Sequence, residues 1–296
     1  MGMLFGWYIV GYLFLAGVGS GAFLVAAACC VLDAVSRTEE SARAAEAAQA
    51  GFYVAPCCMT LAAFLLLLDL GNAERALAVA ATPFQSVMSA GAWLVALLTL
   101  VSGALAATML VRRRVPRSVG WLCCVAGGAC AVGVMTYTGL LLSDMVSIDF
   151  WRSPWLVVLF VASSLSTGAA AVLGLNVVLR PGSRGIASGL WRAAGVLGAA
   201  EAAVLAVFVI AQSGYTEVAA QSCALLVGGR LAPAFWGLVC AAGLALPLAC
   251  HGAQGASARP AAVAVSSAGV LSGGLALRYC IVAAALYTPY ALGAPL

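Results

Sequence analysis

The sequence contains no lysine and one histidine, and only 8% of its 296 residues are charged. Soluble domains carry about 25% charged residues, so this deficit excludes a water-exposed globular fold and places the chain in a bilayer. A single histidine excludes a bis-histidine haem, which needs two axial ligands. His251, at one end of an apolar run with no carboxylate beside it, reads as a surface residue rather than a metal ligand. There is no C-x-x-C pair and no cysteine cluster for iron–sulfur chemistry, and neither a Walker A nor an H-E-x-x-H motif. Ten of the eleven cysteines fall in or at the ends of apolar runs. Adjacent pairs such as Cys29-Cys30 and Cys123-Cys124 diverge by about 100° on a helix and read as small apolar packing residues. Cys223 stands alone in a loop, with no second loop cysteine to pair with. The sequence therefore predicts no metal site.

What remains is apolar: 64% hydrophobic residues and a mean hydropathy of +1.08. A membrane-spanning helix needs about 20 apolar residues, and eight such runs occur, near 7–32, 51–70, 87–110, 119–143, 155–179, 190–212, 232–250 and 263–290. The predicted fold class is an all-α integral membrane protein with eight transmembrane helices in two four-helix bundles. Residues 1–150 would hold helices 1–4 and residues 151–296 helices 5–8, divided at the Trp151–Trp155 linker. The first run lacks a basic leading segment and reads as a span, not a cleavable signal.

All 14 basic residues are arginine, and their placement orients the chain. Ten of them lie on the odd-numbered connections or at their edge (Arg37, Arg43, Arg112–Arg114, Arg117, Arg180, Arg184, Arg192 and Arg259), whereas the opposite loops hold only Arg75, Arg152 and Arg230. By the positive-inside rule, both termini lie outside the plasma membrane, with the 69–86, 144–154 and 213–231 loops. The net charge of +4 thus reports topology, not nucleic-acid binding. The 33–50 loop, with Asp33, Arg37, Glu39, Glu40, Arg43 and Glu46 among alanines, reads as a short, solvated helical connection.

Polar residues inside so apolar a chain are the candidates for function. The stretch 64–93 leaves the membrane at Asp69, crosses Gly71-Asn72-Ala73-Glu74-Arg75 and returns after Pro83 through Ser86, Ser89 and Trp93. Tyr137-Thr138-Gly139 lies toward the outer end of helix four, which emerges at Ser143-Asp144, close to Asp149 and Arg152. Glu201 and Arg278 fall midway along helices six and eight, where an acid or arginine costs roughly 2.5–3.5 kcal/mol. They read either as a mutual ion pair or as a proton or ion path. Gly17-Val18-Gly19-Ser20-Gly21 mimics a dinucleotide fingerprint, but no strand precedes it, and small residues there let helices approach closely. Pro56, Pro233 and Pro247 are expected to kink helices two and seven.

Asp69-Leu70-Gly71-x-x-Glu74-Arg75 followed by Met88-Ser89-x-Gly91-Ala92-Trp93 resembles the D-L-G-R-P-E-R…M-S-x-G-x-W signature of the NrfD/PsrC (polysulfide reductase-like) membrane subunits. Tyr12–Gly17 with Gly21–Leu24 is similar to that family's first helix. Tyr137-Thr138-Gly139, Glu201 and Gly273-Gly274-x-x-Leu277-Arg278-Tyr279 are similar to its helices four, six and eight. Asn72-Ala73 replaces the family's Arg-Pro, and helix one offers only Tyr8, Tyr12 and Ser20 as polar groups.

The resemblance implies a membrane anchor passing electrons between the quinone pool and an iron–sulfur subunit, with a molybdopterin catalytic subunit beyond it on the outer face. It implies an exchangeable menaquinone or ubiquinone, no haem or iron–sulfur in this chain, and no catalytic residue of its own, as a quinone-site or non-catalytic subunit. Tyr137, Ser89, Trp93 and Asp69 would contact the quinone in the helix 1–4 half. Glu201 and Arg278 would move protons or pair, and Glu74, Arg75, Asp144 and Arg152 would dock the partner. A secondary transporter or ion pathway, and a purely structural anchor, are the alternatives.

Overall fold

A computed structural model describes residues 6–70, 86–112, 117–179, 188–255 and 259–287. The described residues are helical, with no strand among them. The order is α1 (Trp7–Ser36), α2 (Glu39–Ala48), α3 (Ala50–Leu70), α4 (Val87–Arg112), α5 (Arg117–Ser143), a 3₁₀ turn (Asp149–Trp151), α6 (Pro154–Leu179), α7 (Ser188–Ser213), α8 (Glu217–Val227), α9 (Ala234–Ala245), α10 (Leu246–Gln254) and α11 (Pro260–Ala283). Eight spans are long and apolar enough to cross a membrane, with α2 leading into α3 and α9 into α10. The chain is a multi-pass membrane protein, as the run lengths predict.

Helix ends follow the local chemistry. Arg37 closes α1 in the left-handed region at φ 51°. Thr38 then starts α2 with a reciprocal capping box to Ser41, which satisfies two otherwise orphaned donors. The Ser86 hydroxyl accepts the Ser89 backbone N–H at 3.1 Å and caps α4. Thr216 caps α8 through the Ala219 N–H at 3.1 Å. Pro260 occupies the first turn of α11, where its missing N–H costs nothing.

The centre of the molecule is α1, packed against α3, α5 and α6, while α6 in turn packs against α7 and α11. Small residues set this arrangement. A Cβ on Gly21 would meet the Ser164 carbonyl, and one on Gly168 would meet the Gly21 backbone, so α1 and α6 touch main chain to main chain. The glycine run in α1 is a helix-packing device. The boundary near residue 150 therefore crosses a close α1–α6 contact. The connection itself is buried: Trp151 donates its indole N–H to the Ile281 carbonyl at 3.0 Å. Gln212 donates to the Asp149 and Phe150 carbonyls at 3.1 and 2.7 Å.

At the arginine-rich end, Glu40 of α2 accepts from Ser188 at 2.7 Å and from Arg192 at 2.9 Å, both on α7. The 33–50 connection is thus a clasp between the two halves as well as a wetted helix. The seventh span, expected to kink at its prolines, widens into π winding from Ala234 to Ala245, just after Pro233. Within that winding Gly243 abuts Gly273 of α11 backbone to backbone. Cys223 lies on α8, not in a loop, and is buried with its thiol 3.7 Å from the Val209 carbonyl.

Candidate functional site

The most polar layer of the interior is built around Arg278, which is fully buried. Its Nε donates to the Leu13 carbonyl of α1 at 3.1 Å. Nη1 donates to the Ser163 hydroxyl and the Gly274 carbonyl, both at 3.0 Å, and Nη2 to the Ser164 hydroxyl at 3.3 Å. Phe14 and Phe160 present their ring faces at 5.8 and 5.6 Å from Cζ, a geometry that favours a cation. Gly17 makes this possible: a Cβ there would sit 2.5 Å from Nη2 and 2.7 Å from the Ser164 hydroxyl. A guanidinium with four hydrogen bonds and two aromatic faces is solvated by protein in place of water.

Glu201 of α7, also buried, lies against the Ser163 and Ser166 hydroxyls of α6. Glu201 and Arg278 do not approach within the 4 Å of an ion pair; Ser163 stands between them, bonded to the guanidinium. The two midplane charges are therefore connected through a hydroxyl, a group that both donates and accepts.

A second layer sits one residue along α1. Tyr12 and Tyr137 are buried, at 0% and 3% exposure. Their phenol oxygens face each other across the α1–α5 contact. Neither has the geometry of a hydrogen bond, to the other or to any described group. Gly91 of α4 holds the Tyr137 ring: any side chain at that position would occupy the ring's own volume. Buried hydroxyls left without partners are uncommon, and two of them on neighbouring helices are candidates to bind a polar oxygen.

The other residues selected from the sequence divide. Asp69 ends α3. Gly19 packs by Met59 and Gly11 by Leu65, so Tyr12 is level with residues 64–65 and Asp69 lies about 6–7 Å further toward that end. Ser89 is buried and Trp93 is 42% exposed. Gly91, two residues from each, stands about 200° around the helix from both, so neither shares the face of α4 that covers Tyr137. Asp144 and Arg152 are exposed at the same end of the molecule, with Arg152 4.0 Å from Asp149. Glu74 and Arg75 lie outside the described residues.

Four contributors are not singled out by the sequence alone. Tyr12 stands there only as one polar group of helix one. Ser163-Ser164-Leu165-Ser166 is the available signal for the layer around Arg278, three hydroxyls in four residues of an apolar span. Gly91 belongs to a motif that gives it no evident task. His251 is half-buried rather than a surface residue, stacked on Trp191 at 3.6 Å and 9°.

A family model described as "Polysulphide reductase, NrfD" matches residues 1–290. Among curated proteins, the C subunit of polysulfide reductase from Wolinella succinogenes is 34% identical over 158 residues, 51% of this protein and 49% of that one. The matched segment thus spans about half the length of that curated relative. With a family match over nearly its whole length, and eight spans carrying Tyr137, Glu201 and Arg278 in the interior, the protein belongs to the NrfD polysulphide reductase family.

Proposed function

We propose that this protein is the membrane anchor of an oxidoreductase complex and exchanges electrons with the quinone pool, passing them to or from an iron–sulfur subunit at the 144–153 end. A molybdopterin subunit completes the complex. The observation that carries this reading is the Tyr12–Tyr137 phenol pair, buried, cradled by Gly91 and lacking partners. A quinone, menaquinone or ubiquinone, supplies the two-electron, two-proton couple. The phenols donate to its carbonyl oxygen or accept from the corresponding hydroxyl. Asp69, about 6–7 Å toward the outer end, takes the proton released on oxidation. Trp93 flanks the approach from lipid, and Ser89 supports α4 behind it. Asp144, Arg152, Glu74 and Arg75 supply charge for docking the partner. The excess of arginine at the opposite end supports an outer location for this site at the plasma membrane, with both termini outside.

The test is quinol-linked turnover of the assembled complex carrying Tyr137→Phe, with assembly followed by co-purification of the iron–sulfur subunit. Loss of one hydrogen bond worth about 0.5–1.5 kcal/mol gives a roughly two- to tenfold fall. Unchanged turnover removes Tyr137 from the site.

The Arg278–Ser163–Glu201 connection supports a second activity, proton movement coupled to quinone turnover. Glu201 is the titrating group in this reading. Glu201→Gln is expected to change proton release per quinol; a normal stoichiometry leaves the layer with a structural role only.

A further inference from the structure

Between the midplane layer and the arginine-rich end lies a small cavity of about 10 Å³, enough for the centre of one water molecule. Four helical segments enclose it: α6, α7, the α9–α10 span and α11. Its polar lining consists of the Ser166, Ser266 and Ser267 side chains and His251. Gly198, which lines it, lies one turn before Glu201 on α7, so the cavity ends about one turn from the residue that carries the carboxyl group. At its other end, the His251 Nδ1 is 2.7 Å from the Pro247 carbonyl, an oxygen that can only accept. Nδ1 therefore carries the hydrogen in that contact. Nε2 is left as the free lone pair, buried and without a partner among the described residues.

The ring is held rigidly in this orientation. It stacks on Trp191 at 3.6 Å and 9°, and the Trp191 indole donates to the Gly255 carbonyl at 3.1 Å. Gly195 leaves space for the imidazole edge, since a Cβ there would fall 2.8 Å from Cδ2. Among the described residues, charged groups do not crowd the site. Arg192 of α7 is turned to Glu40 and the Ser188 carbonyl, Arg259 is exposed at the start of α11, and the cavity lining of α6, the α9–α10 span and α11 is uncharged apart from the imidazole itself.

We propose that His251 is a proton-holding residue, exchanging a proton at Nε2 with Glu201 through one cavity water and Ser166. An imidazole held by one nitrogen and open at the other suits the role, because accepting and returning the proton both occur at Nε2 without ring rotation. A water there would lie among Ser166, Ser266, Ser267 and His251, which offer the two to four polar partners that make a buried site wet. The proposal rests on the reading of Glu201 as the titrating group, and its test separates the two.

The assembled complex in liposomes, turning over quinol and read by an internal pH dye, is compared as wild type, Glu201→Gln, His251→Ala and His251→Phe. The phenylalanine variant keeps a ring on Trp191 and removes Nε2. Proton flux is expected to fall by roughly tenfold or more in all three variants, and added imidazole is expected to restore His251→Ala but not Glu201→Gln. Wild-type flux in His251→Phe with loss in Glu201→Gln overturns the role of His251 while sparing Glu201. Flux unaltered in all variants, or no flux above protein-free liposomes, overturns both. Should the histidine variants fail to fold, the single histidine gives one isotope-labelled imidazole signal. The chemical shift of its Nε2 nitrogen is expected to change in Glu201→Gln, and an unchanged signal overturns the connection.

Discussion

At the scale of single residues, two glycines do as much for the site as the groups they serve. Gly91 lends its missing Cβ to the Tyr137 ring and Gly17 lends its own to the Arg278 guanidinium. Gly91→Ala is therefore expected to reproduce the turnover defect of Tyr137→Phe, whereas Gly103→Ala, with open space around its Cβ, leaves turnover unchanged in the same assay. Arg278→Met strands Ser163, Ser164 and the Leu13 carbonyl and leaves Glu201 without a nearby cation. Each buried polar group left without its partner costs about 1–3 kcal/mol, read as a fall in melting temperature in detergent. Tyr137, Glu201 and Arg278 were legible in the sequence because a polar group inside an apolar run needs a reason. Tyr12 was not, because nothing in the α1 sequence reveals that α5 brings a second phenol to it. The serines of α6 are easy to discount: a hydroxyl in a helix usually bonds its own backbone, as Ser102 does to the Leu98 carbonyl at 2.6 Å.

At the scale of helices, the contacts that matter are the closest ones. Gly21 and Gly168 bring α1 and α6 into main-chain contact, so Gly168→Val forces them apart. Overpacking of this kind costs about 1–3 kcal/mol, and the measurement is thermal stability beside the Gly103→Ala control. The clasp at the arginine-rich end behaves differently. Glu40 and Arg192 are 55% and 63% exposed, and an exposed pair contributes little to stability. Glu40→Ala should therefore lower stability slightly at low salt and less at high salt. All eight spans were readable from run length, since lipid leaves a chain few alternatives to a helix. The π winding of α9 was not: prolines mark a disturbance, but the Gly243–Gly273 approach that accompanies it joins residues 30 positions apart. The buried 149–151 turn, which reads from sequence as a linker, was hidden for the same reason, since its partners Gln212 and Ile281 come from later spans.

At the scale of the whole molecule, sidedness is the expectation most open to direct measurement. An epitope inserted at 145–147 is expected to be reached from outside intact cells, and one at 256–258 only after permeabilisation; the reverse pattern inverts the site and its docking face. The order in which the ribosome delivers the spans adds a consequence of the Arg278 bonds. α1 and α6 are made early, with the Leu13 carbonyl, Ser163 and Ser164 already facing the place the guanidinium will fill. Glu201 follows on α7, still without a cation near it. Only when α11 enters does Arg278 arrive, while Trp151 and Arg230 donate to the carbonyls of Ile281 and Ala283 near the helix end. A nascent polypeptide waiting for α11 thus holds an unfilled polar groove at mid-membrane, a substrate that quality-control proteases can recognise. The helix carrying Arg278 acts as the latch that ends this vulnerable interval.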